Sequence, residues 1–281
     1  MTRRLKLMTS LSTIAAVSAL SLAGCGGEGE GEGAEGESEG TPVAASGESE
    51  GLSAESEGEG ESEGGEGESE GAVASGDPAT DDIEYLRLLG LVRGHLVAFY
   101  ELYQGGETTM ALMHVKHPES ELYASLAPAI AARGLSGFAD ELTTLANAAE
   151  VGGEVTEPYS AVITQLNSHA PGSSVAQQLL SISQIVRTAG DEFDIGVEDN
   201  GSISNAHEYQ DAYGFLIASR EILSGISTTD INAVEAIEMA QEQIALALGV
   251  FESLTASETE GEASTLYGAA ARIEIAARGL M

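Results

Sequence analysis

Five histidines, His95, His114, His117, His169 and His207, lie in the 204 residues from Pro78 to Met281, alongside 29 acidic side chains and 8 basic ones. Imidazole beside carboxylate is a transition-metal donor set when the groups converge, and helical bundles build such sites from His and Glu on facing helices. Two stretches have suitable spacing. In the first, His95 precedes Glu101, and Met110, Met113, His114 and His117 follow beyond Gly105-Gly106. A turn at those glycines lets His114 face His95, so His95, Glu101 and His114 are the leading metal candidates. Methionine with histidine suits copper; histidine with glutamate suits iron or zinc. In the second, Asp191, Glu192 and Asp194 precede a turn at 199–201, and His207, Glu208 and Asp211 follow it. Positions 207 and 211 share a helical face, as do 208 and 211, so carboxylates can meet across that hairpin. His117, His207, Glu208 and Asp211 are therefore secondary metal candidates. Plainer readings compete. His95, between Val92 and Phe99, also reads as a hydrogen-bonded core histidine. His117-Pro118-Glu119 also reads as a helix start, with proline in the first turn and acids against the dipole. The second cluster also reads as a solvated acidic face.

Other chemistries lack their residues. The chain has no G-x-S-x-G elbow, P-loop, H-E-x-x-H pair or dinucleotide fingerprint. A single cysteine rules out a disulfide within the chain and a cysteine-built metal site. With a formal charge of -35 and Lys116 the only lysine after Lys6, no cationic patch exists to hold nucleic acid. These absences favour a binding domain over an enzyme, although a His/carboxylate site with an open position can also support hydrolysis or redox work.

The elements that must position these side chains read as helices throughout, with no sustained strand alternation. Thr80-Asp81-Asp82 caps a long first helix that stops at Gly105-Gly106. A short helix from about 107 to 116 ends at His117-Pro118, and Pro118 starts a third that runs toward Arg133-Gly134, kinked or broken at Pro128. Further helices run from Ser136 to near Gly152-Gly153, from Thr156 to before Pro171, and from a Ser173 or Ser174 cap through Gly190 to Val197. The rest run from Ser204-Asn205 to Gly225, from Thr229-Asp230 through Leu248, and from about Ala263 to Arg278. Short connections between them predict an all-α, antiparallel multi-helix bundle over 78–281.

The amino-terminal residues have a different purpose. Arg3, Arg4 and Lys6 precede an apolar run from Leu7 to Ala23, the order of a secretory signal, assigned to 1–24. Leu22-Ala23-Gly24-Cys25 resembles the lipobox of bacterial lipoproteins. That resemblance implies an acylated Cys25, carrying diacylglycerol and palmitate-type chains, and a protein anchored to a membrane of the cell envelope outside the cytoplasm. Gly26 in place of Asp leans toward the outer membrane in a Gram-negative cell. From 25 to 77 the chain is a Glu/Gly/Ser-rich linker with 16 Glu and 8 Ser. Such a composition cannot bury a core, so a disordered acidic tether holding the domain off the bilayer is expected.

One hairpin carries a second resemblance. Glu198-Asp199-Asn200-Gly201-Ser202-Ile203-Ser204-Asn205, with Glu208-Tyr209 and Phe215, resembles a helix-turn-helix in the extracytoplasmic portion of bacterial ferric-iron permeases. The permease hallmark R-E-x-x-E is absent, because Arg220-Glu221 is followed by Ser224 where Glu is required. The resemblance therefore implies a soluble iron-associated helical module and not a transporter. Imelysin-type proteins, also helical and iron-associated, carry G-x-H-x-x-E, a spacing that Gly94-His95 and Glu101 do not match. The expectation is a membrane-tethered extracytoplasmic domain that handles iron or copper. The alternative is a scaffold lipoprotein that binds another envelope protein and holds no metal.

Overall fold

The computed structural model describes residues 76–281, Pro171 and the side chain of Glu121 aside. The signal segment, Cys25 and all but the last two residues of the linker lie outside the described residues. Among the described residues the chain forms nine α-helices and no sheet. They are α1 (Asp82–Gly105), α2 (Thr108–His117), α3 (Tyr123–Ala132), α4 (Ala139–Glu150), α5 (Thr156–His169), α6 (Val175–Gly196), α7 (Ala206–Ser224), α8 (Ile231–Leu248) and α9 (Ala263–Arg278).

Local chemistry sets several of these boundaries. Asp81 accepts from the Ile83 and Glu84 amides at the start of α1, and Gly106, at φ 88°, ends it in the left-handed conformation. Ser174 and Gln177 form a reciprocal capping box at the start of α6. Asn205 and Asp230 cap α7 and α8 through their side chains. Pro118 differs from its sequence reading. It does not separate two helices; a π-helical turn, Pro118–Leu122, joins α2 to α3 without a break. Proline lacks the amide that the ladder would use at this position, and the wider turn takes up its ring. Pro128 is likewise held inside α3.

Helices α6 to α9 form a four-helix bundle in which α6 packs on α7 and α9, and α8 packs on α9 and α7. Helix α1 packs against α7 and α6 of this bundle and also against α2, α3 and α5, while α4 packs on α2 and α5. Both α1 and α7 are thus interior helices, buried on nearly every face. In α1 this applies to Leu88, Leu91, Val92, Leu96 and Phe99, and in α7 to Tyr209, Ala212, Phe215 and Leu216.

The crossing of α1 and α7 is unusually close. A Cβ on Gly214 would run into the Gly94 carbonyl oxygen and lie 3.1 Å from the Gly94 carbonyl carbon and 3.2 Å from Ala98 Cβ. A Cβ on Gly94 would strike the Phe215 ring and sit 3.0 Å from Phe215 Cα. Two glycines facing each other therefore fix the separation of the helices. His95 is the residue after one of them, and Asp211 lies three residues before the other.

Candidate metal centre

Polar groups at the middle of a helical core must find partners there, because water cannot supply them. Asp211 of α7 is 0% exposed, as are His95 of α1 and His114 of α2. Asp211 Oδ1 lies 2.7 Å from His95 Nδ1 and 2.8 Å from His114 Nδ1. The far nitrogen of His114, Nε2, faces Gln210 Oε1 at 2.9 Å. The amide nitrogen of Gln210 donates to Leu254 O at 3.0 Å and approaches Met110 Sδ at 3.3 Å, which fixes the orientation of that amide. Both ring nitrogens of His114 thus face acceptor oxygens.

Two further histidines complete the cluster. His207, one turn before Asp211, places Nε2 at 3.5 Å from Asp211 Oδ2 and Nδ1 at 3.9 Å from Glu208 Oε1. Its ring stacks on His114 with centroids 4.4 Å apart, and His117 meets it edge-on at 4.5 Å. His117 also lies 5.5 Å from the His95 ring, and Phe215 closes the other side of His95 edge-on at 5.0 Å. His117 is only partly buried and forms the solvent rim of the cluster. Two triads bring their ligand atoms within 4.8 Å of one another: His95, His114 and Asp211, and His117, His207 and Asp211.

Burial pushes the Asp211 carboxyl up, but the two neighbouring histidines, His95 and His114, outweigh it, and the group is held well below the usual carboxylate range. Asp211 is therefore an anion at neutral pH, a hard oxygen donor between borderline nitrogen donors. Two imidazoles and one carboxylate on one side of an ion, with other positions open, are a donor set that suits Fe(II), and it also takes zinc or copper(II).

The carboxylate beside His95 and His114 is Asp211, and not Glu101 as the sequence suggested. Six residues along a helix turn the chain by about 600° and advance it by about 9 Å, so Glu101 leaves the face that His95 occupies. Glu101 is exposed and turned toward Tyr213 and Arg220. Met113 is exposed as well, and Met110 touches Gln210 instead of a histidine. Asp191 and Asp194 of α6 do not meet His207, Glu208 and Asp211 across the hairpin, while Glu192 of the same helix is buried. Asp191 accepts from Tyr267 Oη at 2.8 Å on α9, and Asp194 is exposed. His169 stands apart, with its two nitrogens at 2.6 Å from the Gln165 and Ser136 carbonyls, a structural role. Glu208 is buried beside His207 and has one oxygen, Oε2, without a hydrogen bond.

The start of α7 is pinned by the turn before it. Val197 and Ile203 form an isolated antiparallel bridge, Gly201 adopts φ 84°, and Thr259 N donates to Gly201 O at 2.8 Å. This lock holds His207, Glu208 and Asp211 in register with α1 and α2.

Residues 168–280 match a family model described as an iron permease-associated 4-helix bundle domain. The match runs from the end of α5 through α9 and so coincides with the four-helix bundle. It includes His207, Glu208, Gln210 and Asp211, whereas His95, His114 and His117 come from the segment before it. No curated protein and no solved structure matches the chain.

Proposed function

We propose that this chain is a membrane-tethered, extracytoplasmic lipoprotein whose helical domain binds a transition metal, iron first and copper second, without catalysing a reaction. The observation that carries the reading is the convergence of His95, His114 and Asp211 in a fully buried position, with nitrogen and oxygen donors aimed at one point. Similarity of α6 to α9 to an iron permease-associated bundle supports iron as the metal. So does the donor set, which lacks thiolate and has its nearby methionine sulfur turned to Gln210. No described helix is long and apolar enough to cross a membrane, and the lipobox at Leu22 to Cys25 supplies the anchor in this reading. The acidic linker then sets the domain's reach from the bilayer.

Ligation requires a neutral imidazole nitrogen, so His114 must give up the hydrogen bond from Nδ1 to Asp211 as the ion enters. Gln210 then keeps the ring aligned through Nε2, in the way that outer hydrogen bonds orient metal-binding histidines. Calorimetric titration of the chelator-treated chain with Fe²⁺ (without oxygen), Cu²⁺ and Zn²⁺ tests the proposal. Saturable binding tighter than about 10 μM, or about 6.8 kcal/mol, is expected for at least one ion. It should weaken as the pH falls, because protons compete with the ion for the imidazole nitrogens. His95→Ala with His114→Ala should remove the tight component that these two histidines hold. No tight component for any ion would overturn the metal reading and favour a scaffold that binds another envelope protein.

A further inference from the structure

The two oxygens of Asp211 face different histidines. Oδ1 is engaged by His95 and His114 at 2.7 and 2.8 Å. Oδ2 has no hydrogen bond although the residue is fully buried, and it lies 3.5 Å from His207 Nε2. Such an oxygen is a cost in a protein core that a bound cation removes. The second triad, His117, His207 and Asp211, has the same composition as the first and shares only Asp211 with it. One ring from each triad, His114 and His207, is stacked at 4.4 Å, so the two donor sets are side by side.

We propose that the site is dinuclear: Asp211 bridges two ions, Oδ1 to one held by His95 and His114, Oδ2 to one held by His117 and His207. This rests on the metal reading above and deepens it. Carboxylate-bridged pairs typically hold their ions about 3.5–4 Å apart, a separation consistent with neighbouring sets that share one carboxylate. Glu208 is buried beside this second set. Its Oε1 lies 3.9 Å from His207 Nδ1, beyond hydrogen-bonding range, and His207 Nε2 is turned toward Asp211 Oδ2 at 3.5 Å. Two divalent ions carry four positive charges, which the single Asp211 carboxylate offsets only in part.

The test is stoichiometry, read on the full chain in detergent after chelation and anaerobic loading with Fe²⁺, then desalting and elemental analysis. Two ions per chain are expected, falling to one in His117→Ala/His207→Ala. Loading with Mn²⁺ should give the electron paramagnetic resonance spectrum of an exchange-coupled pair, which that variant and Asp211→Asn both lose. One ion per chain, unchanged in His117→Ala/His207→Ala, would overturn the dinuclear proposal and leave the single-metal reading standing. No bound ion would overturn both. Two ions with only uncoupled Mn²⁺ signals, insensitive to that variant, would place the second ion elsewhere and also overturn it. If circular dichroism shows the double variant to be unfolded, the ion count and Mn²⁺ spectrum of the unmodified chain decide the matter.

Discussion

Replacing Gly214 by alanine should damage the metal centre without touching any of its donor atoms. The added Cβ would lie 3.1 Å from the Gly94 carbonyl carbon and 3.2 Å from Ala98 Cβ, with the Gly94 oxygen nearer still. Carbon atoms rest at about 3.5–4.0 Å, so α1 and α7 must part by roughly 0.5–1 Å. Backbone on one side and a short side chain on the other give no flexible end to swing away. The bond from His95 Nδ1 to Asp211 Oδ1, now 2.7 Å, would then stretch to the edge of hydrogen-bonding range or past it. Overpacking of this kind costs about 1–3 kcal/mol. Equilibrium denaturation in urea should show that loss, and calorimetric titration should show at least about tenfold weaker metal binding, the equivalent of about 1.4 kcal/mol. Gly105→Ala is the matched control. Nothing lies within 4 Å of its Cβ position at the end of α1, so stability should hold or rise by up to about 1 kcal/mol. If Gly214→Ala behaves like Gly105→Ala in both assays, the close crossing does not set the site, and the reasoning fails.

Ser174→Ala removes one half of the capping box on α6 and should cost about 1 kcal/mol in urea denaturation, with metal binding unchanged. The Tyr159 hydroxyl is pushed up to about 12 from 10.0, first by burial and then by the Glu221 charge. The folded state therefore favours the protonated phenol, and this contribution is complete below pH 10 and lost as the pH rises from 10 to 12. Tyr159→Phe should flatten the fall in the urea midpoint over that window; an unchanged fall would assign it to other groups. Cys25→Ser should give an exported chain that leaves the membrane fraction on a carbonate wash, and full retention there would refute lipidation as the anchor.

The helices were legible in the sequence because their ends are written in local chemistry. Asp81, Ser174, Asn205 and Asp230 accept from the amides that follow them, and Gly106 supplies the left-handed stop. Pro118 was misread because a π-helical turn that absorbs a proline depends on what α2 and α3 pack against. The site was legible only in part. His95 and His114 stand out in the sequence as histidines in apolar surroundings, but Glu101, the acid nearby in sequence, is not their carboxylate partner. The partner is 116 residues away from His95, and it is selected by the register of α1 on α7. That register follows from Gly94 facing Gly214, a pairing between distant residues that no helical period reveals. The signal for Asp211 was its spacing from His207, which marked a shared face but not that the face is buried.

The most direct test is anomalous diffraction from crystals of the chain loaded with Fe²⁺ or Zn²⁺, measured at the absorption edge of the ion. A strong peak is expected within bonding distance of Asp211 Oδ1, His95 Nδ1 and His114 Nδ1, and a second beside Asp211 Oδ2. Peaks confined to surface carboxylates such as Asp199 and Glu260, with none at Asp211, would contradict the metal reading.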